Sequence, residues 1–504
     1  MMNISEILLI ERTNKHNGRV AIIDTEGSFT YDQLIQDSGR VASCLLDGVD
    51  DLRETRVAFM TSPGFHYVAV LWGIWRAGGI AVPLSIFHPR PELEYVIKDS
   101  EASILVAHPD FEERSRPIAK ALELRFILTT DALRVETGVL PKVNPSRRAM
   151  ILYTSGTTSK PKGVVITHKN IEAQVMSLIQ AWEWVPDDHI LHVLPLHHIH
   201  GVTNALICAL WAGATCEILP KFDAKEVWER FIRSNLTLFM AVPTIYNKLI
   251  SFWEASSEKN RRVMSCACSK FRLMVSGSAA LPVSVMEKWK AISDQVLLER
   301  YGLTESGMVL SNPLHGQRVP GFVGSPLPNI EVRLVDEKGN TVRPGIPGEI
   351  QVKGPGIFHE YWKKQEATQQ AFEHGWFRTG DVAIEEKGIF RILGRSSVDI
   401  IKTGGYKVSV LEIEEVLRSH PGIKACAVVG IEDPEWGERV SAALVLDEGS
   451  KLSLDALRKW AKERLAPYKI PTRMCILDEL PRNIMGKISK PEILRLFKAK
   501  ELGQ

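Results

Sequence analysis

The sequence predicts an α/β protein. We expect a large N-terminal domain of layered α/β subdomains plus a small β-barrel-like subdomain, followed by a small mobile α+β C-terminal domain. At 504 residues the chain is too long for one hydrophobic core. Short β-branched runs alternate with helical patterns as far as about residue 320, which is typical of largely parallel sheets covered by helices. Short strand-like runs between turns then replace that alternation, and a compact segment of about 110 residues follows.

The first elements are predicted from local signals. Thr30 followed by Gln33 forms a capping box, so a helix is expected to start there, with its apolar residues on one face. The run of residues 57–60 predicts a strand, and the almost wholly apolar run 67–75 predicts a buried helix.

The later elements indicate a change of architecture. Turn-like segments at residues 336–340 and 343–348 separate short strands, which favours an antiparallel, barrel-like subdomain within residues 321–395. We place the domain boundary there, giving an N-terminal domain 1–395 and a C-terminal domain 396–504. The C-terminal segment contains helical patterns at 410–419 and 454–465 and strand patterns at 425–429 and 442–446.

The composition argues against several classes of function. A net charge of +2 gives no case for binding nucleic acid or an acidic membrane surface. No apolar stretch is long enough to cross a bilayer, so we expect no stable membrane insertion. Seven scattered cysteines without a CxxC pair favour a reducing compartment, and neither terminus shows a signal peptide or a peroxisomal address. The expected location is cytoplasmic.

A loop of small polar residues, 153–163, lies between two short β-branched runs. Such a loop can present backbone N–H groups, hydroxyls and lysine side chains to an anion. It is not a Walker A loop, because no Gly-Lys-Ser/Thr closes it and no helix follows directly. An ordinary hairpin is the alternative. If the loop binds nucleotide phosphates, the candidate residues are Thr154, Ser155, Gly156, Thr157, Thr158 and Lys162.

This loop resembles the phosphate-binding signature of the adenylate-forming superfamily, which includes acyl-CoA synthetases. Further segments resemble motifs of that superfamily and occur in the expected order along nearly the whole chain: 194–198, 299–305, 376–381, 394–395 and 481–487. The resemblance implies an acid–thiol ligase that uses ATP, Mg²⁺ and coenzyme A. A carboxylate first attacks the α-phosphorus of ATP, and a thiolate then displaces AMP from the acyl-adenylate.

The resemblance also implies roles for individual residues. Glu305 would hold Mg²⁺, a hard cation that takes carboxylate ligands, and Thr304 would contact the α-phosphate. Asp381 would accept hydrogen bonds from the ribose hydroxyls, and Arg395 would contact the ribose or a phosphate. A surface salt bridge for Glu305 and a simple turn at Asp381 are the alternatives. The expected adenine site comprises Ser278, Ala279, Ala280, Tyr301 and Gly302.

The C-terminal segment would supply the remaining groups. Lys487 is the expected catalytic cation beside the attacking carboxylate and the α-phosphate. Lys402, Gly404 and Gly405 would line the coenzyme A tunnel, although a plain glycine turn explains the same residues. By resemblance the hinge between the two domains falls within residues 397–399, at Ser397, Val398 or Asp399.

The substrate pocket is expected at two further stretches. His198, the last residue of the motif 194–198, matches a pocket histidine of the resembling family, and His200 follows two residues later. Arg272 precedes a strand that ends at Ser276. We expect Arg272 to reach the pocket wall and to pair with a second carboxylate. Met308 completes the expected substrate-binding set.

Four segments are most similar in amino-acid sequence to malonyl-CoA synthetases: 239–246, 275–282, 299–305 and 397–408. This resemblance implies a small dicarboxylate and CoA as substrates. Ligation of methylmalonate, a short fatty acid or an aryl acid remains an alternative, as does loading of a carrier-protein thiol. A non-catalytic nucleotide-binding protein is the remote alternative.

Overall fold

The computed structural model describes residues 7–154, 161–395, 399–403, 406–433, 436–482 and 488–502. It confirms the predicted fold class, with layered sheets and helices followed by a smaller α+β unit. None of the helices in these ranges is both long and apolar enough to cross a membrane.

The helices are the following: α1 (Leu8–Thr13), α2 (Tyr31–Leu46), α3 (Phe65–Arg76), α4 (Arg90–Ser100), α5 (Glu112–Ala121), α6 (Thr129–Ala132), α7 (His168–Trp182), α8 (Cys208–Ala212), α9 (Ala224–Arg233), α10 (Pro243–Glu254), α11 (Glu258–Cys268), α12 (Val283–Ser293), α13 (Gln365–Ala371), α14 (Val410–Arg418), α15 (Leu454–Ala461) and α16 (Lys490–Leu502). Short 3₁₀ turns occupy Asn14–His16, Pro109–Phe111 and Pro467–Lys469, and a π-helical segment occupies His200–Ile207.

The strands are the following: β1 (Val20–Asp24), β2 (Gly27–Thr30), β3 (Arg56–Met60), β4 (Ile80–Pro83), β5 (Ile104–Ala107), β6 (Arg125–Leu128), β7 (Arg148–Thr154), β8 (Lys162–Thr167), β9 (His189–His192), β10 (Thr215–Ile218), β11 (Leu238–Ala241), β12 (Leu273–Ser276), β13 (Leu298–Leu303), β14 (Gly307–Ser311), β15 (Ser325–Pro326), β16 (Glu331–Val335), β17 (Gly348–Lys353), β18 (Glu360–Tyr361), β19 (Phe372–Glu373), β20 (Trp376–Glu386), β21 (Ile389–Arg395), β22 (Ile400–Thr403), β23 (Tyr406–Ser409), β24 (Ile423–Asp433), β25 (Gly437–Leu446) and β26 (Arg473–Ile476).

Two mainly parallel sheets form the body of the N-terminal part. One has the strand order β15-β14-β13-β12-β11-β9-β10-β1-β2, and the other has the order β18-β8-β7-β4-β3-β5-β6. Helix α3 is buried from Tyr67 to Trp75, as its continuous apolar run predicts, and it belongs to a core cluster that contains residues of both sheets. Helix α2 starts at the predicted capping box of Thr30 and Gln33.

Antiparallel strands follow within residues 321–395. Strands β16, β17, β20 and β19 form one sheet, and β21 pairs with β20. The predicted change to an antiparallel, strand-rich subdomain is therefore confirmed. This pairing places the last described residue of the segment, Arg395, directly opposite Asp381.

The C-terminal part has its own sheet, in which β23, β22, β25 and β24 are neighbours and β26 pairs with β25. Two apolar clusters lie on this sheet, which is covered by α14, α15 and α16. The predicted helix 410–419 is present as α14, whereas the predicted helix 454–465 ends at Ala461, because the chain turns ahead of Pro467. The Glu415 carboxylate accepts a hydrogen bond from the Val283 N–H at 3.2 Å, which joins α14 to the start of α12.

Candidate active site

The hairpin of β7 and β8 carries the two described ends of the predicted phosphate loop. Thr154 and Lys162 face each other across the ladder. The Lys162 ammonium lies 5.1 Å from the ring centroid of Tyr361, a residue of the neighbouring strand β18. Ser155, Gly156, Thr157 and Thr158 lie outside the described residues, so their phosphate-binding role stays a prediction.

Glu305 lies close to this hairpin, in the turn between β13 and β14 that also contains Thr304. The Tyr361 hydroxyl donates to Glu305 Oε1 at 2.9 Å, and the Phe358 N–H donates to the Glu305 carbonyl at 2.7 Å. Burial and the Glu305 charge raise the pKa of Tyr361. Tyr361 therefore contacts both Lys162 and Glu305, which brings a cation and a carboxylate to the same side chain. The carboxylate is a donor of the kind that Mg²⁺ prefers.

A second centre forms around the buried carboxylate of Asp381. The Tyr301 hydroxyl donates to Asp381 Oδ2 at 2.5 Å, and Arg395 Nε lies 3.0 Å from Asp381 Oδ1. Burial raises the pKa of Asp381, although the charge of Arg395 and the tyrosine hydrogen bond oppose that shift. Burial and the Asp381 charge raise the pKa of Tyr301 well above its usual value. The predicted residues Tyr301, Asp381 and Arg395 are thus brought together from three strands.

Four polar residues lie around the carboxyl end of β12, which runs beside the first half of β13. His200 Nδ1 lies 3.1 Å from Ser278 Oγ, while its buried Nε2 has no hydrogen-bond partner among the described residues. The same holds for Ser276 Oγ and for Nε and Nη2 of Arg300. Arg300 is 3% exposed, and a side chain at Gly277 would collide with its guanidinium. Several buried polar atoms therefore share one small region without protein partners, which is the arrangement expected of a binding pocket.

The electrostatic state of this pocket follows from its burial. Burial lowers the pKa of Arg300 to about 9, so the guanidinium is still protonated at neutral pH. Burial, together with the Arg300 charge, holds the pKa of His200 well below its usual value, so the imidazole is neutral. The pocket thus combines one cation with neutral hydrogen-bonding groups.

Arg300 was missed by the sequence reading. It stands in the motif 299–305 between the predicted Tyr301 and its charged neighbour Glu299, and a charged pair inside a strand was the available signal. Glu299 is also buried, and it accepts a hydrogen bond from the Leu281 N–H at 2.9 Å. Burial, with a contribution from Glu415, raises the pKa of Glu299 to about 8.

The remaining predicted residues of the N-terminal part take varied positions. Ser278, Ala279 and Ala280 are exposed after β12. Gly302 pairs with the buried Met308 across β13 and β14, and a side chain at Gly302 would collide with the Gly307 backbone. The His198 ring lies against that of His197 in a tilted arrangement, with ring centroids 4.2 Å apart and the planes at 48°.

The prediction that Arg272 reaches the pocket is wrong. Arg272 lies ahead of the amino end of β12, whereas Ser276 is at its carboxyl end. Its Nε and Nη2 bond the two oxygens of Asp188 at 2.7 and 2.5 Å, and Nη1 donates to the Trp182 carbonyl at 2.8 Å. Because the Asp188 side chain is 1% exposed, Arg272 serves to neutralise a buried carboxylate on the opposite edge of the sheet.

Part of the predicted C-terminal set falls outside the described residues, namely Lys487, Gly404, Gly405, Ser397 and Val398. Lys402 lies in β22, and its side chain is likewise outside them.

Asp399, the remaining hinge candidate, connects both parts of the chain. Its N–H donates to the Arg395 carbonyl at 2.8 Å, and its carboxylate accepts from the Arg395 N–H at 3.1 Å and from Lys490 Nζ at 2.5 Å.

The fold and these centres define an enzyme that activates an acid with a nucleotide. The chain matches the AMP-binding enzyme family over residues 9–362 and the C-terminal domain of AMP-binding enzymes over residues 412–487. It therefore belongs to the AMP-binding enzyme family, whose adenylate-forming members use ATP and Mg²⁺.

Similar proteins include the mitochondrial malonate–CoA ligase ACSF3 of Mus musculus, which is 46% identical over 95% of this chain and 88% of that protein. The malonate–CoA ligase of Arabidopsis thaliana is 38% identical over 99% of this chain and 90% of its own length. Among solved structures, ATP-bound MatB from Rhodopseudomonas palustris has a TM-score of 0.89 at 33% identity, covering 98% of this chain and 99% of that one.

Proposed function

We propose that this enzyme forms malonyl-CoA from malonate, ATP and CoA through a malonyl-adenylate. The observation that carries the proposal is the buried Arg300, which lies close to His200 and whose Nε and Nη2 have no hydrogen-bond partner among the described residues. A second carboxylate on the substrate would satisfy both nitrogens at once. The similarity to malonate–CoA ligases over nearly the full chain supports the same substrate.

The reaction has two steps. One malonate carboxylate oxygen forms a bond to the α-phosphorus, and the bond to the leaving pyrophosphate breaks. The CoA thiolate then bonds to the acyl carbon, and AMP leaves with the electron pair of the broken C–O bond. Mg²⁺, held at Glu305, supplies positive charge to the phosphates when bound.

The chain's own residues orient these groups. Lys162 and Thr154, with the loop residues between them, cradle the phosphates, and Thr304 contacts the α-phosphate. Asp381 has acceptor capacity beyond its bonds to Tyr301 and Arg395, because an ionised carboxylate offers about four lone pairs. It is therefore suited to accept the ribose hydroxyls.

The C-terminal domain, residues 396–504, supplies the groups that change between steps. Lys487 stabilises the pentavalent phosphorus during adenylation, and Lys402, Gly404 and Gly405 line the path of CoA. For these groups to exchange places, the C-terminal domain has to move relative to the N-terminal domain. The hydrogen bond between Glu415 and Val283 is one described contact that this domain movement would break.

The acid specificity follows from the charge of the pocket. A fatty chain would leave the Arg300 cation buried and unpaired, which is unfavourable, whereas malonate places its second carboxylate there. Arg300 thus takes the role that the sequence reading gave to Arg272.

The test is the release of pyrophosphate and the mass of the CoA thioester with ATP, Mg²⁺ and CoA. Malonate, methylmalonate, succinate, acetate, octanoate and coumarate are compared. Preference for malonate by kcat/KM supports the dicarboxylate pocket. Preference for a monocarboxylate would keep the adenylation chemistry but reject the role of Arg300, and turnover of none would reject the proposed function.

A cytoplasmic location also remains a proposal. It rests on the free state of all seven cysteines, whereas the vertebrate relatives are named as mitochondrial. Fractionation of cells that express the full-length natural protein distinguishes the two compartments.

A further inference from the structure

Three potential metal ligands lie close together in the structure, and none of them belongs to the segments assigned to the nucleotide, the acid or CoA. Glu26 lies in the turn between β1 and β2, His66 is the second residue of α3, and His108 directly follows β5. One ligand atom from each of the three residues can be chosen so that all lie within 4.8 Å of one another.

The spacing suits a transition metal. His66 Nε2 and Glu26 Oε2 are 3.2 Å apart, and the rings of His66 and His108 have centroids 5.3 Å apart. With metal–ligand bonds of about 2.0–2.1 Å, neighbouring ligand atoms of a tetrahedral zinc site lie about 3.3–3.4 Å apart. The His66–Glu26 separation is close to this value, and the third ligand atom, which lies within 4.8 Å of both, has to move closer to them.

Hydrogen bonds fix the backbone that carries these side chains. The Asp24 carboxylate accepts from the Glu26 N–H at 2.8 Å and from the Phe65 N–H at 2.7 Å, which fixes the turn against the start of α3. The His108 N–H donates to the Met60 carbonyl at 2.9 Å. The Asp110 N–H donates to His108 Nδ1 at 3.3 Å, which occupies that nitrogen and leaves Nε2 as the ring nitrogen that could bind metal.

We propose that Glu26, His66 and His108 form a zinc-binding site that links the two large sheets. The turn that carries Glu26 belongs to the sheet of β1 and β2, whereas His108 follows a strand of the other sheet. Two imidazoles and one carboxylate favour Zn²⁺ over Mg²⁺, which prefers an all-oxygen octahedron. This site is separate from the proposed Mg²⁺ carboxylate, Glu305.

The experiment titrates EDTA-treated full-length protein with Co²⁺ and follows the visible absorption of tetrahedral Co²⁺, then displaces it with Zn²⁺. The wild-type chain is expected to bind one equivalent, and excess Mg²⁺ is expected not to displace it. His66→Gln and His108→Gln should each weaken binding by at least about 100-fold, because each removes a direct ligand.

His315→Gln is the matched control. His315 pairs with Glu183 at 3.1 Å, much as His66 pairs with Glu26, yet no third ligand is grouped with that pair among the described residues. This variant should bind Co²⁺ like the wild type. Unchanged binding by His66→Gln and His108→Gln, or no tetrahedral Co²⁺ spectrum in the wild type, would overturn the proposal. Melting curves without metal establish that each variant is folded, and Zn²⁺ should raise the Tm of the wild type and of the control alone.

Discussion

Replacing Arg300 by glutamine is expected to damage malonate use selectively. The substitution removes a buried cation whose Nε and Nη2 find no hydrogen-bond partner in the described ranges of the chain. Because Arg300 is only 3% exposed, water does not readily replace the lost contacts. Truncating one partner of a buried, hydrogen-bonded charge pair costs about 2–5 kcal/mol. With a tenfold change for each 1.4 kcal/mol, kcat/KM for malonate should fall by about 30- to 4,000-fold.

The assay measures malonate-dependent and ATP-dependent pyrophosphate release by Arg300→Gln. The KM for ATP should change little, because Arg300 is not among the groups assigned to the nucleotide. The substitution also removes an unpaired buried charge, so the Tm should not fall.

Arg272→Gln is the matched control. It also removes a guanidinium, but one that lies at the amino end of β12, on the opposite edge of the same sheet. It leaves Asp188 buried without its cation, so the Tm should fall while the KM for malonate is retained. An Arg300→Gln enzyme that is folded and has an unchanged malonate KM would refute the pocket assignment. If only Arg272→Gln raised the KM for malonate, Arg272 would be the residue that pairs with the second carboxylate of the substrate.

Three further predictions concern other residues. Lys487→Ala should lose formation of malonyl-adenylate but still convert supplied malonyl-adenylate to the thioester; an equal loss in both half-reactions contradicts a role in adenylation alone. Asp381→Asn should raise the KM for ATP by about 10- to 100-fold, because it weakens acceptance of the ribose hydroxyls and the pairing with Arg395, at about 1.4 kcal/mol per tenfold; an unchanged KM would exclude the ribose role. The folded-state pKa of Glu299 is raised to about 8, so its neutral form adds stability that is fully present below pH 4.5 and lost as the pH rises through about 8. The free energy of unfolding of Glu299→Gln, measured with urea, should therefore rise relative to that of the wild type by up to about 1.4 kcal/mol per pH unit across that window. Parallel pH profiles of the two proteins would count against the raised pKa.

The sequence predicted best where the signal was local. The capping box of Thr30 and Gln33 predicted the start of α2, because cap hydrogen bonds join residues only three apart. The apolar run 67–75 likewise predicted the buried α3. The hairpin around the phosphate loop was also foreseen, since two β-branched runs separated by small residues favour paired strands.

The prediction for Arg272 failed for a geometric reason. Arg272 directly precedes β12, as the sequence predicted, but a residue four positions ahead of the carboxyl end lies about 13 Å from that end, at a rise of about 3.3 Å per residue. The proposed pocket is at the carboxyl end of β12, where Ser276 pairs with Glu299, the neighbour of Arg300 on β13. Position along the strand mattered more than the charge of the side chain.

The sequence by itself determined the fold class, the order of the elements and the motifs that carry adenylate chemistry, because these depend on local propensity and on residues close together in the chain. Only the tertiary structure decided which charged groups are paired. It joins Arg272 to Asp188, and it brings His66 to His108. Within the part of the chain that the structure describes, it also leaves Nε and Nη2 of Arg300 without a hydrogen-bond partner. Such pairings depend on strand order and on burial. In a low-dielectric interior a charge interacts strongly with the few groups close to it, and the fold decides which groups those are.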